Sequence, residues 1–340
     1  MKPEHSAFSG SRALVTGGLG FIGSNLALRL VELGVEVTVV DSLIPEYGGN
    51  PYNLAGLAGG VSINITDVRD EHAMKYLVQR QDYLFNLAGQ TSHLDSMTDP
   101  FPDLEINARA QLSILESCRR FNPSIRIVFA STRQLYGKPR YTPVDENHPL
   151  DPVDVNGINK LAGEQYHLLY HRVHGVRASV LRLTNTYGPR MRVKDARQTF
   201  LGIWLRRLLE GQPIAVFGDG QQIRDFNYVD DAVEALLLAA SRDEAYGEVF
   251  NLGASDPASL ETVARLLVQL SGTGRYELVP FPAERKAIDI GDYVGDYGKF
   301  ERLLGWRPRV MLAEGLAKTL AYYRSHGHHY WEPTGALVAA

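Results

Sequence analysis

Lys160 and Asn156 are the residues whose chemistry most restricts what this chain can do. A lysine ammonium binds anions and hydroxyl groups, and it becomes a base only when burial removes it from water. Asn156, four residues earlier, is a carboxamide, which donates and accepts hydrogen bonds but does not release a proton near neutral pH. The pair therefore predicts a site that can hold a hydroxyl group or a water molecule, with the proton acceptor still to be found.

Two other side chains are candidates for that acceptor. His93 follows the fourth predicted strand, and two interpretations stay open for it, a substrate contact and a surface histidine. Tyr136 follows the fifth predicted strand, and a packing role is favoured there over a catalytic one. Cys118 lies on an apolar-periodic helix and is expected to be a buried thiol rather than a nucleophile.

A glycine-rich turn predicts a phosphate-binding loop between the first strand and the first helix. Gly17 and Gly20 allow a tight turn with close approach to a pyrophosphate, and Gly23 allows the helix to pack on the sheet. Phe21 and Ile22 open the helix, whose N-terminal N–H groups and dipole favour an anion.

Asp41 indicates which dinucleotide binds. It stands eighteen residues after Gly23, at the end of the second predicted strand. A carboxylate there accepts both ribose hydroxyls of NAD and repels the 2′-phosphate of NADP; the alternative is that Asp41 only caps a loop. Asp67 and Val68 follow the third strand and are expected at the adenine edge. The sequence predicts NAD.

Short apolar runs alternate with amphipathic stretches through the first half of the chain, which predicts an α/β fold. We expect a Rossmann-type doubly wound parallel sheet with a smaller C-terminal α/β substrate domain. The predicted strands are 12–16, 36–40, 61–65, 83–87, 126–130 and 178–183; the predicted helices of this half are 22–33, 104–121 and 158–173.

The regular alternation stops after Asn185, which predicts a domain boundary. We expect an NAD-binding domain over 1–185 with a later return near 222–250, a substrate domain over 186–325, and a weakly ordered tail over 326–340.

Bulk composition excludes several classes of protein. The chain has 340 residues, a formal net charge of −4 and one cysteine. This charge gives no reason to expect nucleic acid or an anionic membrane as a partner, and one cysteine forms neither an internal disulfide nor a cysteine zinc cluster. No metal site is predicted. With no apolar run of membrane-spanning length, a soluble cytoplasmic protein is expected.

These motifs occur in an order that resembles the extended short-chain dehydrogenases, and more narrowly the NAD-dependent nucleotide-sugar epimerases and dehydratases. The resemblance covers roughly residues 10 to 322 and rests on the following positions: 17–23, Asp41, Asp67, 86–89, Ser131, Thr132, Lys160, 182–189, 218–231, 251–253 and 304–308.

The resemblance implies a tightly bound NAD that oxidises a sugar, usually at C4, and later returns the hydride. It implies that Thr132 and Lys160 are catalytic and that Lys160 also binds the nicotinamide ribose. The other implied cofactor contacts are Leu87, Ala88 and Gly89, and the implied or candidate contacts to a nucleotide-diphosphate sugar are Gln90, His93, Arg133, Asn185 and Arg224. A homodimer formed through helices 104–121 and 158–173 is also implied.

Three departures from the family limit the conclusion. Asn156 stands where the family has its catalytic Tyr. Arg133 and Gln134 stand where the 4,6-dehydratases have an Asp-Glu pair, so a conventional dehydratase is disfavoured; Arg133 would suit an acidic sugar, or it points to solvent. The run 288–292 lacks the Arg of the family's Arg-Pro-Gly-Asp.

Three functional hypotheses remain. The first is an NAD-dependent nucleotide-sugar epimerase, in which Asn156 holds a hydroxyl or water. The second is a dehydratase or lyase that shares the oxidation step. The third is a binding protein that keeps NAD and a nucleotide sugar without turnover.

Overall fold

A seven-stranded parallel sheet organises the chain. The computed structural model describes residues 3–57 and 59–332. The strands of this sheet lie in the order β11-β6-β5-β4-β1-β2-β3. Their bounds are β1 Arg12–Thr16, β2 Glu36–Asp41, β3 Val61–Ile65, β4 Tyr83–Asn86, β5 Arg126–Thr132, β6 Arg177–Leu183 and β11 Val249–Asn251.

Helices cover both faces of the sheet. Successive residues of β1 alternate between two cores, with Ala13 and Val15 in one and Leu14 in the other. The first core includes α1 and α8, and the second includes α2, α5 and α6. The bounds of these helices are α1 Phe21–Glu32, α2 Glu71–Leu77, α5 Ala110–Phe121, α6 Val155–His174 and α8 Val229–Ser241.

The remaining elements form three small two-stranded sheets and further helices. The strand pairs are β7 with β10, β9 with β12, and β8 with β13. Their bounds are β7 Asn185–Tyr187, β8 Ile214–Phe217, β9 Ile223–Arg224, β10 Phe226–Tyr228, β12 Ala258–Ser259 and β13 Tyr276–Val279. The remaining helices are α3 His93–Thr98, α4 Pro100–Leu104, α7 Phe200–Leu209, α9 Leu260–Ser271, α10 Ala283–Ala287, α11 Gly298–Leu304 and α12 Leu312–His326.

The order of the strands determines where a ligand can bind. From β1 the chain proceeds to β2 and β3 on one side, and then returns to β4, β5 and β6 on the other. A crevice forms at such a switch point, outside the carboxyl ends of the strands. The loops after β1, β2, β4 and β5 meet there, and they carry most of the candidate residues.

Two helices differ from those predicted, one in where it begins and the other in being divided. Helix α6 begins at Val155 rather than 158, because Asp154 caps its N-terminus by accepting a hydrogen bond from Gly157 N. The predicted helix 104–121 is divided, since a π-helical turn at Glu105–Arg109 separates α4 from α5. The earlier start of α6 places Asn156 in its first turn.

Part of the predicted C-terminal tail packs against the body of the protein. The Tyr330 hydroxyl lies 2.6 Å from that of Tyr322 and donates to Asn53 Oδ1 at 2.7 Å. Trp331 lies over Gly327, where a Cβ would meet its ring. Residues 333–340 of that tail lie outside the described residues.

Candidate functional site

The glycine-rich turn forms a cradle that admits only glycine at two of its positions. Gly17 has a φ of 68°, and a Cβ there would lie 3.1 Å from Ala88 N. A Cβ on Gly23 would lie 2.8 Å from Gly18 Cα and would collide with Gly17 O. The start of α1 therefore approaches β1 closely, and its N-terminal N–H groups face the crevice, as a pyrophosphate requires.

Two carboxylates follow β2 and β3 at this edge of the sheet. Asp41 accepts hydrogen bonds from Leu19 N at 3.0 Å and Leu43 N at 2.9 Å, and burial raises its pKa. Burial also opposes ionisation of Asp67, but its hydrogen bonds from Arg69 outweigh that effect and its pKa is lowered. Both carboxylates line the same cavity as the glycine turn.

That cavity, of about 270 Å³, brings together almost all of the predicted site. Its lining includes every predicted cofactor-binding and catalytic residue, and every predicted substrate-binding residue except Arg224. The predicted residues found there are Gly17, Gly20, Phe21, Ile22, Gly23, Asp41, Asp67, Val68, Leu87, Ala88, Gly89, Gln90, His93, Thr132, Arg133, Asn156, Lys160 and Asn185. We call it the cofactor cavity.

Asn156 is held in a buried network. Its side-chain amide donates to Gln90 O and to Asp103 Oδ2, both at 2.8 Å, and only 2 % of the residue is exposed. Because both partners are acceptors, the nitrogen must face them. Asn159 donates to the other oxygen of Asp103 at 2.8 Å. The amide hydrogens of Asn156 are thus committed to protein groups, so Oδ1 is the atom of this side chain that could still hold a hydroxyl or water.

Lys160 is buried beside Asn156. Its Nζ donates to Ala130 O at 3.1 Å and lies 5.2 Å from the centre of the Phe129 ring. Burial lowers the pKa of Lys160 to about 8. A Cβ on Gly89 would lie 2.8 Å from Nζ and 2.9 Å from Asn107 Oδ1, which has no partner among the described residues. A spare donor and a spare acceptor near one point suit a ribose hydroxyl, which both donates and accepts.

Thr132 is the last residue of the neighbouring strand β5, and Tyr136 is the last residue of the turn that follows it. Thr132 lines the cofactor cavity, and its Oγ1 accepts from Gln134 N at 3.2 Å. Tyr136 is completely buried; its hydroxyl donates to Asn251 Oδ1 at 2.7 Å and accepts from Arg182. Burial raises the pKa of Tyr136 to about 12. This arrangement agrees with the packing role favoured from sequence.

A second cavity of about 470 Å³ lies on the substrate side, and we call it the substrate cavity. Arg224 lines it, which accounts for the one predicted residue missing from the first. Arg224 Nη2 lies 3.1 Å from Asp289 Oδ1, within the run 288–292 that departs from the family. Burial lowers the pKa of Arg224 to about 10. A phosphate binding here would compete with Asp289 for the guanidinium.

Six residues line both cavities, so the cavities adjoin. They are His93, Arg133, Gln134, Asn185, Gln198 and Thr199. Arg133 Nη2 donates to Asn185 Oδ1 at 2.9 Å, and burial lowers the pKa of Arg133. Of the two alternatives for Arg133, orientation toward solvent is excluded. His93 likewise lies at the junction of the cavities rather than on an isolated surface.

Sequence reasoning missed two carboxylates near this site. Asp103 binds Asn156 and Asn159, and Asp154 lies 2.9 Å from His93 Nδ1. For Asp154 a signal existed, because an Asp just before an apolar-periodic stretch is a common N-cap. Nothing local marked Asp103, since its partners lie more than fifty residues away.

No group of three or more His, Cys, Asp or Glu side chains within residues 3–57 and 59–332 is arranged to hold a metal ion. None of the helices in these two ranges has both the length and the apolar character needed to cross a membrane. Cys118 is a free, buried thiol, and burial raises its pKa to about 12.

Comparison with known proteins identifies the family. The sequence profile of the NAD dependent epimerase/dehydratase family matches residues 13–253. A putative UDP-glucose 4-epimerase from Methanocaldococcus jannaschii is 32% identical over 314 residues, covering 92% of this chain and 98% of that protein. A dTDP-glucose 4,6-dehydratase from an Actinoplanes species is 33% identical over 325 residues, covering 93% and 98%.

A solved structure of similar sequence has the same fold. UDP-glucose 4-epimerase from Thermotoga maritima, determined with UDP-glucose, superposes with a TM-score of 0.84 at 33% identity, covering 92% of this chain and 99% of that one. The chain belongs to the NAD-dependent epimerase/dehydratase family. The predicted family, the Rossmann-type fold and the NAD cofactor are confirmed.

Asp41 gives a test of cofactor choice. Asp41→Asn keeps a side-chain oxygen for a backbone N–H but removes the charge that repels a 2′-phosphate. We expect the preference for NAD over NADP to fall about tenfold, as the loss of 1–2 kcal/mol of repulsion implies. Calorimetric titration of the protein freed of nucleotide, with each dinucleotide, measures it.

Asp82→Asn is the matched control. Asp82 precedes β4, at the opposite end of the sheet, and accepts a hydrogen bond from Arg12 N at 2.8 Å. This variant loses the same charge and should keep the preference. If the preference of Asp41→Asn for NAD over NADP were unchanged, the carboxylate would only cap the loop.

Proposed function

We propose that the chain is an NAD-dependent nucleotide-sugar epimerase that transiently oxidises its sugar, at C4, and returns the hydride. The observation that carries this proposal is the junction of the two cavities. One cavity has the glycine cradle and Asp41, the other has Arg224, and six side chains line both. A sugar joined to a diphosphate in the substrate cavity would reach the nicotinamide end of the cofactor cavity.

Bound NAD supplies reversible hydride acceptance. The glycine turn and the N-terminus of α1 would bind its pyrophosphate, and Asp41 the adenosine ribose. Lys160 and Asn107 would hold the nicotinamide ribose, where their spare donor and acceptor lie near Gly89. The buried position of Lys160 excludes water and keeps its contacts strong.

The substrate cavity has groups suited to a nucleoside diphosphate. Arg224, on β9, and Asn185, on β7, both line this cavity and offer a guanidinium and an amide to phosphate oxygens. Phe217 and Phe281, with ring centres 5.6 Å apart, line the distal part, and Arg285 lies over Phe217. These rings offer apolar surface for a base, and no particular base is favoured.

Gln134 favours epimerisation over dehydration. Its side-chain amide donates to Asp154 Oδ2 at 2.8 Å, so it orients another residue and supplies no acid. The runner-up hypothesis, a dehydratase or lyase, shares the oxidation step. The third, a binding protein without turnover, is supported by Asn156 in place of the family's phenol.

Purified protein incubated with a broad panel of nucleotide sugars tests the proposal. We expect bound NAD and the appearance of a second sugar isomer by NMR. A product band from an enone in the ultraviolet would indicate a lyase. Tight binding with no isomer and no absorbance change at 340 nm would favour the binding protein and contradict the epimerase.

We further propose that the chain forms a homodimer through the two segments predicted from sequence, 104–121 and 158–173, which lie mainly in α5 and α6. Exposed apolar side chains at or just before these segments would take part, and we call them the dimer patch: Met97, Phe101, Leu104 and Ile158. The exposed fractions of Phe101 and Ile158 are 71% and 53%. A two-fold interface would bury both copies of each side chain, and each large apolar side chain buried is worth about 2 kcal/mol. We also propose a division into an NAD-binding domain, 1–185 with a return near 222–250, and a substrate domain, 186–325; the pairing of β11 with β6 in the main sheet supports that return. Cytoplasmic location stays a prediction.

Phe101→Asp should convert the dimer to the 37.7 kDa monomer, because it places two like charges in the shared patch. Light scattering after size exclusion measures the mass. Met311→Asp, at an exposed apolar side chain that lies outside the patch, should leave the mass unchanged. A wild-type protein that is monomeric at micromolar concentration would refute the dimer.

A further inference from the structure

The junction of the two cavities has one side chain able to accept a proton near neutral pH. Of the six described residues that line both cavities, only His93 and Arg133 ionise. A guanidinium stays protonated in proteins. His93 is therefore the one candidate base in this shared lining.

Tyr136, Lys160 and Asn156, the other candidates for the base, are each unsuited to accept the proton. The hydroxyl of Tyr136 is buried between Arg182 and Asn251, away from both cavities. Lys160, with a pKa of about 8, is mostly an ammonium at pH 7 and donates to Ala130 O. The amide of Asn156 has no acidic proton near neutral pH.

His93 has a buried carboxylate beside one of its ring nitrogens. Nδ1 is buried and lies 2.9 Å from Asp154 Oδ2, although the N–H direction is off the line between the two atoms. The side chain is 37% exposed, so the exposed surface belongs to the rest of the ring. A carboxylate beside Nδ1 favours the tautomer with the proton on Nδ1 and the lone pair on Nε2.

Asp154 is itself fixed. It accepts from Gly157 N at 2.7 Å and from Gln134 Nε2 at 2.8 Å, and its side chain is fully buried. Burial opposes its ionisation, but the contact with His93 and these hydrogen bonds outweigh that effect and lower its pKa. An ionised, immobile carboxylate behind an imidazole is the arrangement that orients general-base histidines.

We propose that His93 is the catalytic base that removes and returns the sugar hydroxyl proton in place of the family's phenol, with Asp154 as its positioning residue. This inference rests on the proposed function. It explains how the site can work although the amide of Asn156 is committed to Gln90 and Asp103.

The oxidation step removes one proton and one hydride from the sugar. The hydroxyl O–H bond breaks and its proton goes to His93 Nε2, while the carbinol C–H bond breaks and its hydrogen leaves as hydride to NAD. The electron pair of the O–H bond forms the second bond of the carbonyl. On return of the hydride, His93 gives the proton back to the oxygen.

The turnover test compares His93→Gln, Asp154→Asn and Tyr136→Phe with the wild type. We expect His93→Gln to lower kcat at least 100-fold, within the range for general-base loss, with binding of UDP changed less than threefold. Added imidazole should raise the activity of His93→Ala at least tenfold. Tyr136→Phe should keep kcat within about threefold.

Asp154→Asn keeps an N-cap acceptor for α6, so it should fold. It should lower kcat and move the acidic limb of the kcat/KM profile to lower pH, because the imidazolium loses its counter-charge; His93→Gln should abolish that limb. The other charged groups that line the two cavities are Asp41, Asp67, Asp95, Arg133, Lys160, Asp195, Arg197, Arg224, Arg285 and Asp289. A His93→Gln enzyme that keeps a third of wild-type kcat, or an unchanged acidic limb, overturns the proposal.

A second measurement does not depend on turnover. Holoprotein labelled with ¹⁵N-histidine is titrated with UDP-glucose and dTDP-glucose, and with UDP and dTDP as references without sugar. We expect the Nε2 resonance assigned through His93→Gln to move with a sugar nucleotide and to stay within error with the diphosphate alone. An Nε2 resonance that ignores the sugar overturns the role of His93, whereas an inactive wild type whose Nε2 responds contradicts only the epimerase.

Discussion

Asn156→Tyr, which restores the family's motif, is expected to lower turnover at least 100-fold rather than to raise it. Asn156 is 2% exposed, and its amide gives one hydrogen to Gln90 O and one to Asp103 Oδ2. A phenol has a single donor and a larger volume. It would leave a buried carboxylate short of a hydrogen bond, which costs about 2 kcal/mol, and overpacking adds about 1–3 kcal/mol.

Urea unfolding should therefore show Asn156→Tyr less stable than wild type by about 3–5 kcal/mol. Gln165→Tyr is the matched control, since it introduces the same side chain in place of an amide at an exposed position of α6; it should leave stability and turnover nearly unchanged. An Asn156→Tyr enzyme more active than wild type would mean that this site is a weakened copy of its relatives.

Asn156→Asp separates the electrostatic part of this effect from the steric part. It is isosteric with Asn156 but places a second carboxylate against Asp103 Oδ2. Near pH 7 it should destabilise the fold, because keeping two carboxylates ionised in contact with each other costs free energy. Stability should recover as the pH falls and one of the pair binds a proton. Equal stability at pH 7 and pH 5 would contradict the close contact.

Lys160→Met is expected to abolish turnover while stabilising the fold at pH 7. Burial lowers the pKa of Lys160 from 10.5 to about 8, so at pH 7 the folded state holds an ammonium that would be better solvated in the unfolded chain. A shift of this size corresponds to at most about 3 kcal/mol. Methionine fills a similar volume without the charge, at the loss of one hydrogen bond to Ala130 O.

The stability gained by Lys160→Met should depend on pH, because the charge of Lys160 does. Below about pH 8 both states of the wild type carry the Lys160 proton, and the cost of burying the charge is complete. Between about pH 8 and 10.5 the folded state has released the proton while the unfolded state keeps it, so wild-type stability rises with pH. The advantage of Lys160→Met should therefore be largest at pH 7 and shrink toward pH 10.5.

Urea unfolding of wild type and Lys160→Met at pH 7 and pH 10 measures that difference. Lys75→Met is the control, because Lys75 lies on α2 above the Tyr76 and Phe121 rings and outside both cavities; it should keep turnover and show no gain confined to neutral pH. A Lys160→Met protein that is less stable than wild type at pH 7 would mean that the attraction of Asp103 for the ammonium exceeds the cost of its burial.

The sequence by itself determined the features that depend on neighbouring residues. Gly17 and Gly20 predicted a tight turn and Gly23 a helix packed close to the sheet, because glycine lacks a side chain at these positions, and Asp41 followed at the expected distance. The alternation of strands and helices predicted a doubly wound sheet, whose switch point gathers the loops. The absence of a phenol at Asn156 was also visible in the sequence, and so was the substitution of Arg133 and Gln134.

Only the tertiary structure decided what those substitutions do. Asn156 donates to Asp103, 53 residues away, and Asp154 lies beside His93, 61 residues away in the chain. Such contacts depend on how α3 and α4 pack against α6 and on which residue begins α6, and a side-chain hydrogen bond is lost with a shift of about 1 Å. A pattern of residue types cannot define positions that finely, because pairs distant in sequence are brought together by the packing of whole elements.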